Sequence, residues 1–492
     1  MSGLLSKSAL YWGLIIIGGS LRLAQYLANR SLWFDEALLS LNIVRRSFSG
    51  LVLPLEGFGG PGQAAPIGFL MIEKIAVLSL GTNEYALRLF PLLSSVVSLV
   101  LFCKLAKASI SERGALIALG LFAVVDPLIY YASEVKQYSS DVMFSVAAVL
   151  LCLTLQKREP PSVPLLIVYG LLGGAALWCS HPALFVLGAT GTSLVWLYRK
   201  KGRYLRWLAG IFTIWLFSFA LVYHVNLRHL TSNRDLLAYW QTAFMPLPPK
   251  SLSDLLWLPE SFAELFFSAV GLKQFGVGLL ACIVGAIALY WKKNELLPIT
   301  GLMVGLVLLA SALHKYPFSG RLLLFLVPCL ILIVGEGVSE MLRRGNGRTI
   351  VPGVVVVTFL FFQPVSQAAG KLISPRKHEE IRPLLSYYRA MRQDGDLLYV
   401  YYNGGPALEF YAREYGIREF VRGVHGGLSS YVDDVNTLRG HRRVWVLFSH
   451  VTQPDGIDEE RFFLYVLNRI GNRLDARSEF GASLYLYDVR RD

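Results

Sequence analysis

The chain has 492 residues, of which 54% are hydrophobic and 16% are charged, and its mean hydropathy is +0.49. Soluble proteins carry about 25% charged residues. The apolar residues here come in blocks of about 16–21, long enough to cross the roughly 30 Å hydrocarbon core of a bilayer. These values exclude a soluble enzyme, a disordered protein and a secreted disulfide scaffold, and they predict a polytopic α-helical membrane protein.

The formal charge of +13 is distributed unevenly along the chain. Of the 47 basic and 34 acidic residues, 18 and 17 lie in residues 367–492, which leaves 29 basic and 17 acidic residues upstream. The upstream basic residues cluster in short loops between apolar blocks, a pattern that marks the cytoplasmic side of a membrane protein. The charge therefore indicates membrane orientation, and no nucleic-acid partner is expected.

Eleven apolar segments predict about 11 transmembrane helices. The first lacks the cleavage pattern of a removable signal and is therefore predicted to be an anchor. The positive-inside rule then places the N-terminus in the cytoplasm and the C-terminal region outside the inner or plasma membrane. The predicted spans are 8–28, 86–106, 114–131, 142–156, 163–180, 183–198, 207–224, 275–291, 296–313, 321–341 and 349–366.

The first outer loop, residues 29–85, is predicted to contain two surface helices. Residues 36–49 place Ala37, Leu41 and Phe48 on one face, with Glu36 largely off it, as a helix lying on a membrane requires. Residues 65–80 form a second apolar block, but counting it as a span would move every downstream basic cluster to the outside. We therefore interpret it as a second surface helix.

The remaining outer segments comprise a second large loop and a soluble tail. The loop, residues 225–274, has amphipathic stretches at 236–244 and 252–267, and the tail is predicted to be a small extracytoplasmic α/β domain. This gives two domains, a membrane domain over 1–366 and the tail over 367–492. The expected tail helices are 382–392, 406–415 and 458–470, and the expected strands are 396–402, 443–448 and 483–489.

Asp35 and Glu36 stand at the start of the first predicted surface helix. One interpretation is structural, with Asp35 as the N-cap and Glu36 favoured in the first turn by the helix dipole. The other is chemical, because adjacent carboxylates on an outer loop supply a base. The residues alone leave both interpretations open.

Two further outer loops carry charged residues of chemical interest. Glu134, Lys136 and Asp141 lie in and just after the loop that precedes the fourth span. Either Lys136 and Asp141 both point into a cavity at the membrane surface, or the segment is an ordinary polar loop with a helix cap. His314 and Arg321 flank the loop before the tenth span, where they either grip a phosphate or act as interfacial anchors. Within the spans, Arg22 and Asp126 are costly in lipid, and pairing with each other would reduce that cost.

Several familiar motifs are absent from the sequence. It has no glycine-rich phosphate loop and no CxxC or HExxH metal signature. It also lacks the inverted repeat with broken helices that is typical of transporters.

The outer-loop motifs resemble those of the GT-C membrane glycosyltransferases, in particular the branch of protein O-mannosyltransferases and the bacterial lipid A aminoarabinose transferase. The resemblance covers residues 1–340, and the tail from residue 367 matches no family domain. It rests on the Asp35-Glu36 pair, QAAPIGFL at 63–70, NEYALRLFP at 83–91, YYASE at 130–134, and the segment from Tyr316-Pro317 to RLLL at 321–324.

The resemblance implies a GT-C fold and a sugar transfer from a polyprenyl-phosphate donor to an acceptor hydroxyl on the outer face. By position, Asp35 would be the catalytic base with Glu36 as its neighbour. Lys136, Arg321 and His314 would hold the donor phosphate, and Glu134 and Asp141 would be the acidic residues of the second loop. Relatives often carry Lys or His where Gln63 stands, so only the Gln63 amide could contact phosphate there.

The implied chemistry suits these residue types. A phosphate is already a good leaving group, so catalysis reduces to deprotonating the acceptor hydroxyl and neutralising charge on the phosphate. In-line attack would invert the anomeric centre. Carboxylates this close would also suit a divalent cation. The acceptor, whether lipid, polysaccharide or protein, stays open, as does the sugar.

Three alternatives are kept beside this interpretation. An oligosaccharyltransferase or glycan ligase would move a whole chain on the same fold. A lipid-linked glycan transporter would need a polar path through the membrane, yet the intramembrane charges are few. A non-enzymatic scaffold would display the tail without requiring Asp35, Lys136 and Arg321.

Overall fold

The computed structural model describes residues 7–57, 62–158, 162–344 and 350–490. The chain forms two compact units. We call Met1–Ala28, Phe48–Pro54 and Ala64–Pro375 the helical unit, and Asn29–Ser47, Leu55–Gln63 and Arg376–Asp492 the α/β unit. The α/β unit thus takes in two segments of the first predicted outer loop, which the sequence-based division at 366 had assigned to the membrane domain.

The chain is mostly helical up to residue 373. One of these helices, α2 (Phe34–Arg45), belongs to the α/β unit. The helices are α1 (Lys7–Leu27), α2 (Phe34–Arg45), α3 (Ile67–Leu80), α4 (Glu84–Ser109), α5 (Glu112–Val124), α6 (Asp126–Tyr130), α7 (Tyr138–Gln156), α8 (Val163–Cys179), α9 (Ala183–Tyr198), α10 (Gly202–Val222), α11 (Arg228–Ser232), α12 (Arg234–Tyr239), α13 (Leu252–Glu264), α14 (Phe275–Trp291), α15 (Leu296–Ala312), α16 (Val327–Arg344) and α17 (Ile350–Ile373).

All eleven predicted spans fall on helical segments, although residue 349 lies outside the described residues. Within the described residues, five helical segments are long and apolar enough to cross a membrane, and the bent pair α5–α6 makes up to six. Four further apolar helices, α8, α9, α14 and α15, are shorter. Helix α1 is not among the five, because Arg22 and Gln25 lower its hydropathy. The count of eleven spans and the orientation stay predictions.

The third predicted span is broken rather than continuous. Helix α5 ends at Val124, Val125 is extended with ψ of 131°, and the chain bends by 55° before α6 continues. Pro127 contributes to the break, because it has no N–H to continue the α5 hydrogen-bond ladder, whereas in the first turn of α6 no such N–H is needed.

Arg22 and Asp126, whose pairing the sequence left open, have different partners. Asp126 forms an ion pair with Lys371 of α17. The buried Arg22 guanidinium donates instead to the Ser95 hydroxyl at 2.8 Å and to backbone carbonyls, including that of Phe122 at 3.0 Å. Carbonyls left unbonded where α5 ends are good acceptors, so the broken helix supplies the partners that an arginine in an apolar unit needs.

Close helix packing holds the helical unit together. Helices α14 and α16 approach at Gly285 and Gly337, where an added Cβ on Gly285 would come within 1.9 Å of the Ile333 carbonyl oxygen. Small residues permit this approach, which is how apolar helices associate without a hydrophobic driving force in lipid.

The α/β unit has a five-stranded mixed sheet covered by helices. The strand order is β2-β1-β3-β5-β4, with β1 parallel to β2 and β3, and β5 antiparallel to β3 and β4. The predicted helices and strands of the tail are all present, whereas β2, α20 and β4 were not predicted. The elements are α18 (Ile381–Met391), β1 (Leu397–Val400), α19 (Gly405–Tyr411), β2 (Val421–Arg422), α20 (Leu428–Asn436), β3 (Val444–Ser449), α21 (Glu459–Ile470), β4 (Asn472–Glu479) and β5 (Ala482–Asp488).

Helix α2 differs from the predicted surface helix. It ends at Arg45 rather than at residue 49, and its residues from Glu36 to Ile43 are all buried. Glu36, predicted to lie off the apolar face, is fully buried. The helix packs against α19 of the α/β unit, so protein rather than a membrane surface covers it.

Candidate active site

Asp35 lies in the first turn of α2. The helix begins at Phe34 with Trp33 at the N-cap position, so the prediction that Asp35 is the cap is wrong. An indole has no acceptor atom, and Trp33 therefore cannot cap the helix through its side chain. Asp35 instead occupies the second helical position, in the first turn of α2, where acidic residues interact favourably with the positive end of the helix dipole.

Gln63 holds the Asp35 carboxylate. Its side-chain amide donates to Oδ1 of Asp35 at 3.0 Å, and both residues are partly exposed. The hydrogen bond orients the carboxylate, and the other oxygen of the same group, Oδ2, is enclosed by protein atoms. The phosphate contact predicted for Gln63 stays a prediction, but the structure places this amide on the proposed base.

Glu36 is committed to an internal ion pair. Its carboxylate lies 3.5 Å from the guanidinium of Arg30, and both side chains are almost completely buried. A buried carboxylate needs such a partner, because a charge that is removed from water without a nearby opposite charge carries an uncompensated desolvation cost. Neighbouring carboxylates thus have different environments, with Asp35 partly exposed and Glu36 enclosed.

The residues before α2 are bound by side chains from the C-terminal part of the chain. The backbone N–H of Leu32 donates to the Tyr411 hydroxyl at 2.8 Å, and that of Phe34 donates to Glu379 at 3.0 Å. The His378 ring stacks on Trp33 with ring centres 5.0 Å apart. Burial and nearby arginines lower the pKa of His378 to about 4. Sequence reasoning missed these residues, since no local pattern marks them.

The second predicted loop is buried inside the helical unit. Glu134 and Lys136 are 0% and 4% exposed, and the backbone N–H of Lys136 donates to the Glu134 carbonyl at 2.7 Å. A Ser139 hydroxyl bond to the Tyr131 carbonyl at 2.7 Å ties the start of α7 back to the loop. A buried ammonium and carboxylate in one loop are energetically costly features that call for a function.

Arg321 and Asp141 belong to the same region. Helix α7 packs against the 3₁₀ segment Gly320–Leu326, and the Ser145 hydroxyl bonds the Phe325 carbonyl at 2.7 Å. The Arg321 guanidinium lies 5.6 Å from the ring centre of Tyr138, in the first turn of α7. Asp141, also in that turn, is buried. The predicted second-loop and tenth-span residues are therefore neighbours in the fold.

Tyr316 joins this cluster, although sequence reasoning gave it no role. Desolvation, together with the nearby Asp141 and Tyr138, raises the pKa of the Tyr316 hydroxyl well above its usual value. That hydroxyl donates to the Leu322 carbonyl at 2.8 Å and so shapes the turn that carries Arg321.

His314 is the most exposed of the predicted donor-side residues. It follows α15 in the left-handed region, with φ of 54°, and its ring lies 5.0 Å from that of Phe244. The structure shows His314 at the surface, whereas Lys136 is enclosed.

The candidate residues fall into two groups. We call Asp35, Glu36 and Gln63 of the α/β unit the carboxylate group, and Glu134, Lys136, Asp141, His314 and Arg321 of the helical unit the cation group. Among the described residues, no cluster of three His, Cys, Asp or Glu side chains has the arrangement of a metal site.

No protein-family model and no curated protein sequence matches this chain. Similar solved structures include the oligosaccharyltransferase AglB from Archaeoglobus fulgidus in complex with an inhibitory peptide and a dolichol-phosphate. It has a TM-score of 0.53 at 11% identity, over 97% of this chain and 74% of that chain.

Two further structures extend the comparison. ArnT from Cupriavidus metallidurans bound to undecaprenyl phosphate has a TM-score of 0.52 at 12% identity, over 96% of this chain and 98% of that chain. The arabinofuranosyltransferase AftD from Mycobacteria has a TM-score of 0.50 at 14% identity, over 100% of this chain and 42% of that chain. These proteins are GT-C superfamily members, and the expected fold class is confirmed. This chain is a polytopic membrane protein with the GT-C fold.

Proposed function

We propose that the chain is an integral membrane glycosyltransferase that transfers a sugar from a polyprenyl-phosphate donor to an acceptor hydroxyl on the outer face of the cell membrane. The observation that carries the proposal is the packing of the Arg321 turn on the first turn of α7, two residues after Lys136. It gathers cations in an apolar helical unit, where a lipid-linked phosphate needs them. The GT-C fold supports the same kind of reaction.

Asp35 is the proposed general base. Its carboxylate takes the proton of the acceptor hydroxyl while the hydroxyl oxygen forms a bond to the anomeric carbon of the sugar. The Gln63 amide fixes the carboxylate through Oδ1, and Asp35 as a residue is partly exposed. Glu36 has a supporting part, because its ion pair with Arg30 anchors the same helical turn.

Lys136, Arg321 and His314 are the proposed partners of the donor phosphate. As the bond between the anomeric carbon and the phosphate oxygen breaks, its electron pair moves to the phosphate, and the cations stabilise that charge. Arg321 has the planar, multidentate geometry that suits phosphate, while Lys136 acts as a compact charge. Attack opposite to the leaving phosphate inverts the anomeric centre. Glu134 and Asp141 are the buried acidic residues of the same region.

The test is sugar transfer by the purified protein in detergent, with a panel of polyprenyl-phosphate sugars and lipid, polysaccharide and protein acceptors. Asp35→Asn should lower kcat about 10²- to 10⁴-fold, the usual contribution of a general base. Asp458→Asn is the matched control. Asp458 caps α21 through the Arg461 N–H, and asparagine caps equally well, so a carboxylate is removed with little structural change.

The outcomes separate the alternatives. Release of polyprenyl phosphate by the wild type and the control but not by Asp35→Asn supports both the class and the base. Equal release by all three moves the base to another carboxylate. Turnover only with oligosaccharide donors supports an oligosaccharyltransferase, and no turnover with any donor overturns the proposal. Chelator-sensitive turnover would establish a divalent cation.

A further inference from the structure

Helix α2, which carries Asp35, does not cap its own N-terminus. The first backbone N–H groups of a helix have no partner within the helix and must find one elsewhere. The Ala37 N–H bonds the Trp33 carbonyl at 2.8 Å, which closes the first turn. The Phe34 N–H, which points out of that turn, has to be satisfied by a residue from another part of the chain.

Glu379 supplies that partner. Its Oε2 accepts the Phe34 N–H at 3.0 Å across 345 positions of sequence. The carboxylate is 6% exposed, so it is held in place rather than sampling solvent. A carboxylate at the first N–H groups of a helix is stabilised by both the hydrogen bond and the helix dipole. Glu379 therefore acts as a cap donated by the C-terminal part of the chain.

The Glu379 carboxylate is itself fixed from the end of β3. The Ser449 hydroxyl donates to Oε2 at 3.1 Å, and Nδ1 of His450 lies 2.7 Å from Oε1. His450 has φ of 54°, a left-handed conformation that turns the chain directly after the strand. Its ring stacks on Phe34, with ring centres 4.5 Å apart and planes 13° apart. His450 thus contacts both the carboxylate and the residue that it caps, and Ser449 adds a second contact to the carboxylate.

Neighbouring contacts extend this support upstream of the helix. The Ser31 hydroxyl donates to Glu380 at 3.2 Å, and the Leu32 N–H donates to the Tyr411 hydroxyl at 2.8 Å. The entry into α2 is therefore tied at three successive points before Asp35. Glu379 makes the last of these ties, on the residue directly before the proposed base.

We propose that Glu379, held by His450 and Ser449, is a positioning residue that fixes the backbone under Asp35 for catalysis. This inference rests on the proposed function of Asp35 as the base. Asp35 follows the capped residue, so a shift of Phe34 moves its carboxylate directly. Gln63 orients the Asp35 side chain but cannot restore a displaced backbone. The C-terminal part of the chain is accordingly part of the catalytic apparatus.

The experiment compares Glu379→Ala, Glu379→Gln and Glu409→Gln with the wild type in the full-length protein. Glu379→Ala removes the cap, and Glu379→Gln keeps an oxygen that accepts the Phe34 N–H. Glu409→Gln is the matched control, because Glu409 pairs with Arg45 at 2.8 Å, at the opposite end of α2. The readouts are kcat, KM for the donor, melting temperature and hydrogen exchange of the peptide that contains Phe34.

Glu379→Ala should lower kcat about 10- to 100-fold, the effect of a displacement near 1 Å. The KM should change little, since the base acts on the transition state. Exchange at Phe34 should accelerate in Glu379→Ala and return towards the wild-type rate in Glu379→Gln, with activity following it. A purely structural residue would lower the melting temperature and leave the kcat of folded protein unchanged.

Two results would overturn the inference. One is that the wild type is active and the Glu379→Ala variant has the same kcat. The other is a kcat loss with unchanged exchange at Phe34, because the loss would then not come from the cap. A third result is distinguishable from these two. If the wild type transfers no sugar but the Phe34 N–H is protected from exchange, the cap forms and the proposed function is refuted, and the catalytic role of Glu379 is refuted with it.

Discussion

The starts of α2 and α7 are secured in different ways, although both carry proposed site residues. At α2, the contacts that hold the first turn come from residues about 345 positions away, such as Glu379. At α7, the first turn is tied by partners within eight residues, such as the Ser139 bond to Tyr131. Packing of the Arg321 turn is added to that local frame. The carboxylate group should therefore be sensitive to distant substitutions that leave the cation group intact.

The largest effect beyond Asp35 is expected at Arg321. Arg321→Ala should lower kcat/KM for the donor about 10²- to 10³-fold, because a preorganised cation is lost from the phosphate. Arg321→Lys should recover only part of the loss, since lysine keeps the charge without the planar fork. The measurement is steady-state transfer with donor as the varied substrate.

Arg199→Ala is the control for this substitution. Arg199 also lies over an aromatic ring, 4.1 Å from the centre of Trp196, but it is exposed. If both variants lose the same factor in kcat/KM, the effect comes from the lost stacking on an aromatic ring and not from phosphate binding. The proposal that the cation group binds the donor phosphate would then be wrong.

A smaller effect is expected at Gln63. It decides whether this residue orients the Asp35 carboxylate or contacts the donor phosphate. Gln63→Ala should lower kcat about 10-fold, because the Asp35 carboxylate loses a hydrogen bond of about 1.5 kcal/mol or more that orients it. The KM for the donor should stay the same. A raised KM with unchanged kcat would instead place Gln63 on the donor phosphate.

The smallest effect concerns the pH dependence of stability at the entry to α2. The pKa of His378 is lowered to about 4 from an ordinary value of 6.5. Between these values the unfolded chain binds more protons than the folded one, so stability falls as the pH falls through this window. His378→Phe keeps a ring on Trp33 and removes the titration.

Thermal unfolding of the full-length protein at pH 7 and pH 5 measures this effect. The drop in melting temperature between the two pH values should be smaller in His378→Phe than in the wild type. An equal drop would mean that groups other than His378 dominate the loss of stability in acid.

Much of the fold could be predicted from local patterns, and the exceptions have physical causes. The eleven apolar segments are helical because a helix forms all its backbone hydrogen bonds within one segment, as a long apolar segment in lipid requires. Strand β4 was missed because six of its eight residues are exposed, so it lacks the alternation that marks a half-buried strand. Strand β2 has two residues, too few for any periodic signal.

The candidate site was predicted in part. The charged residues Glu134, Lys136 and Arg321 indicated a charged site. The sequence did not indicate that Tyr138 and Tyr316 lie beside Arg321 and its turn. At α2, a hydrophobic pattern fits burial against protein as well as against lipid, so a helix lying on the membrane surface was predicted instead of one inside the α/β unit. Periodicity reports which face is apolar and does not identify what covers it.

The sequence by itself determined the membrane class, the helical segments and the acidic pair at residues 35–36, because hydropathy and residue chemistry are local properties. Only the tertiary structure decided that Glu36 is enclosed by Arg30, that Asp35 is held by Gln63, and that Glu379 caps the helix that carries both carboxylates. These contacts join residues far apart in the chain. Their energy depends on distance and burial, which exist only once the chain has folded.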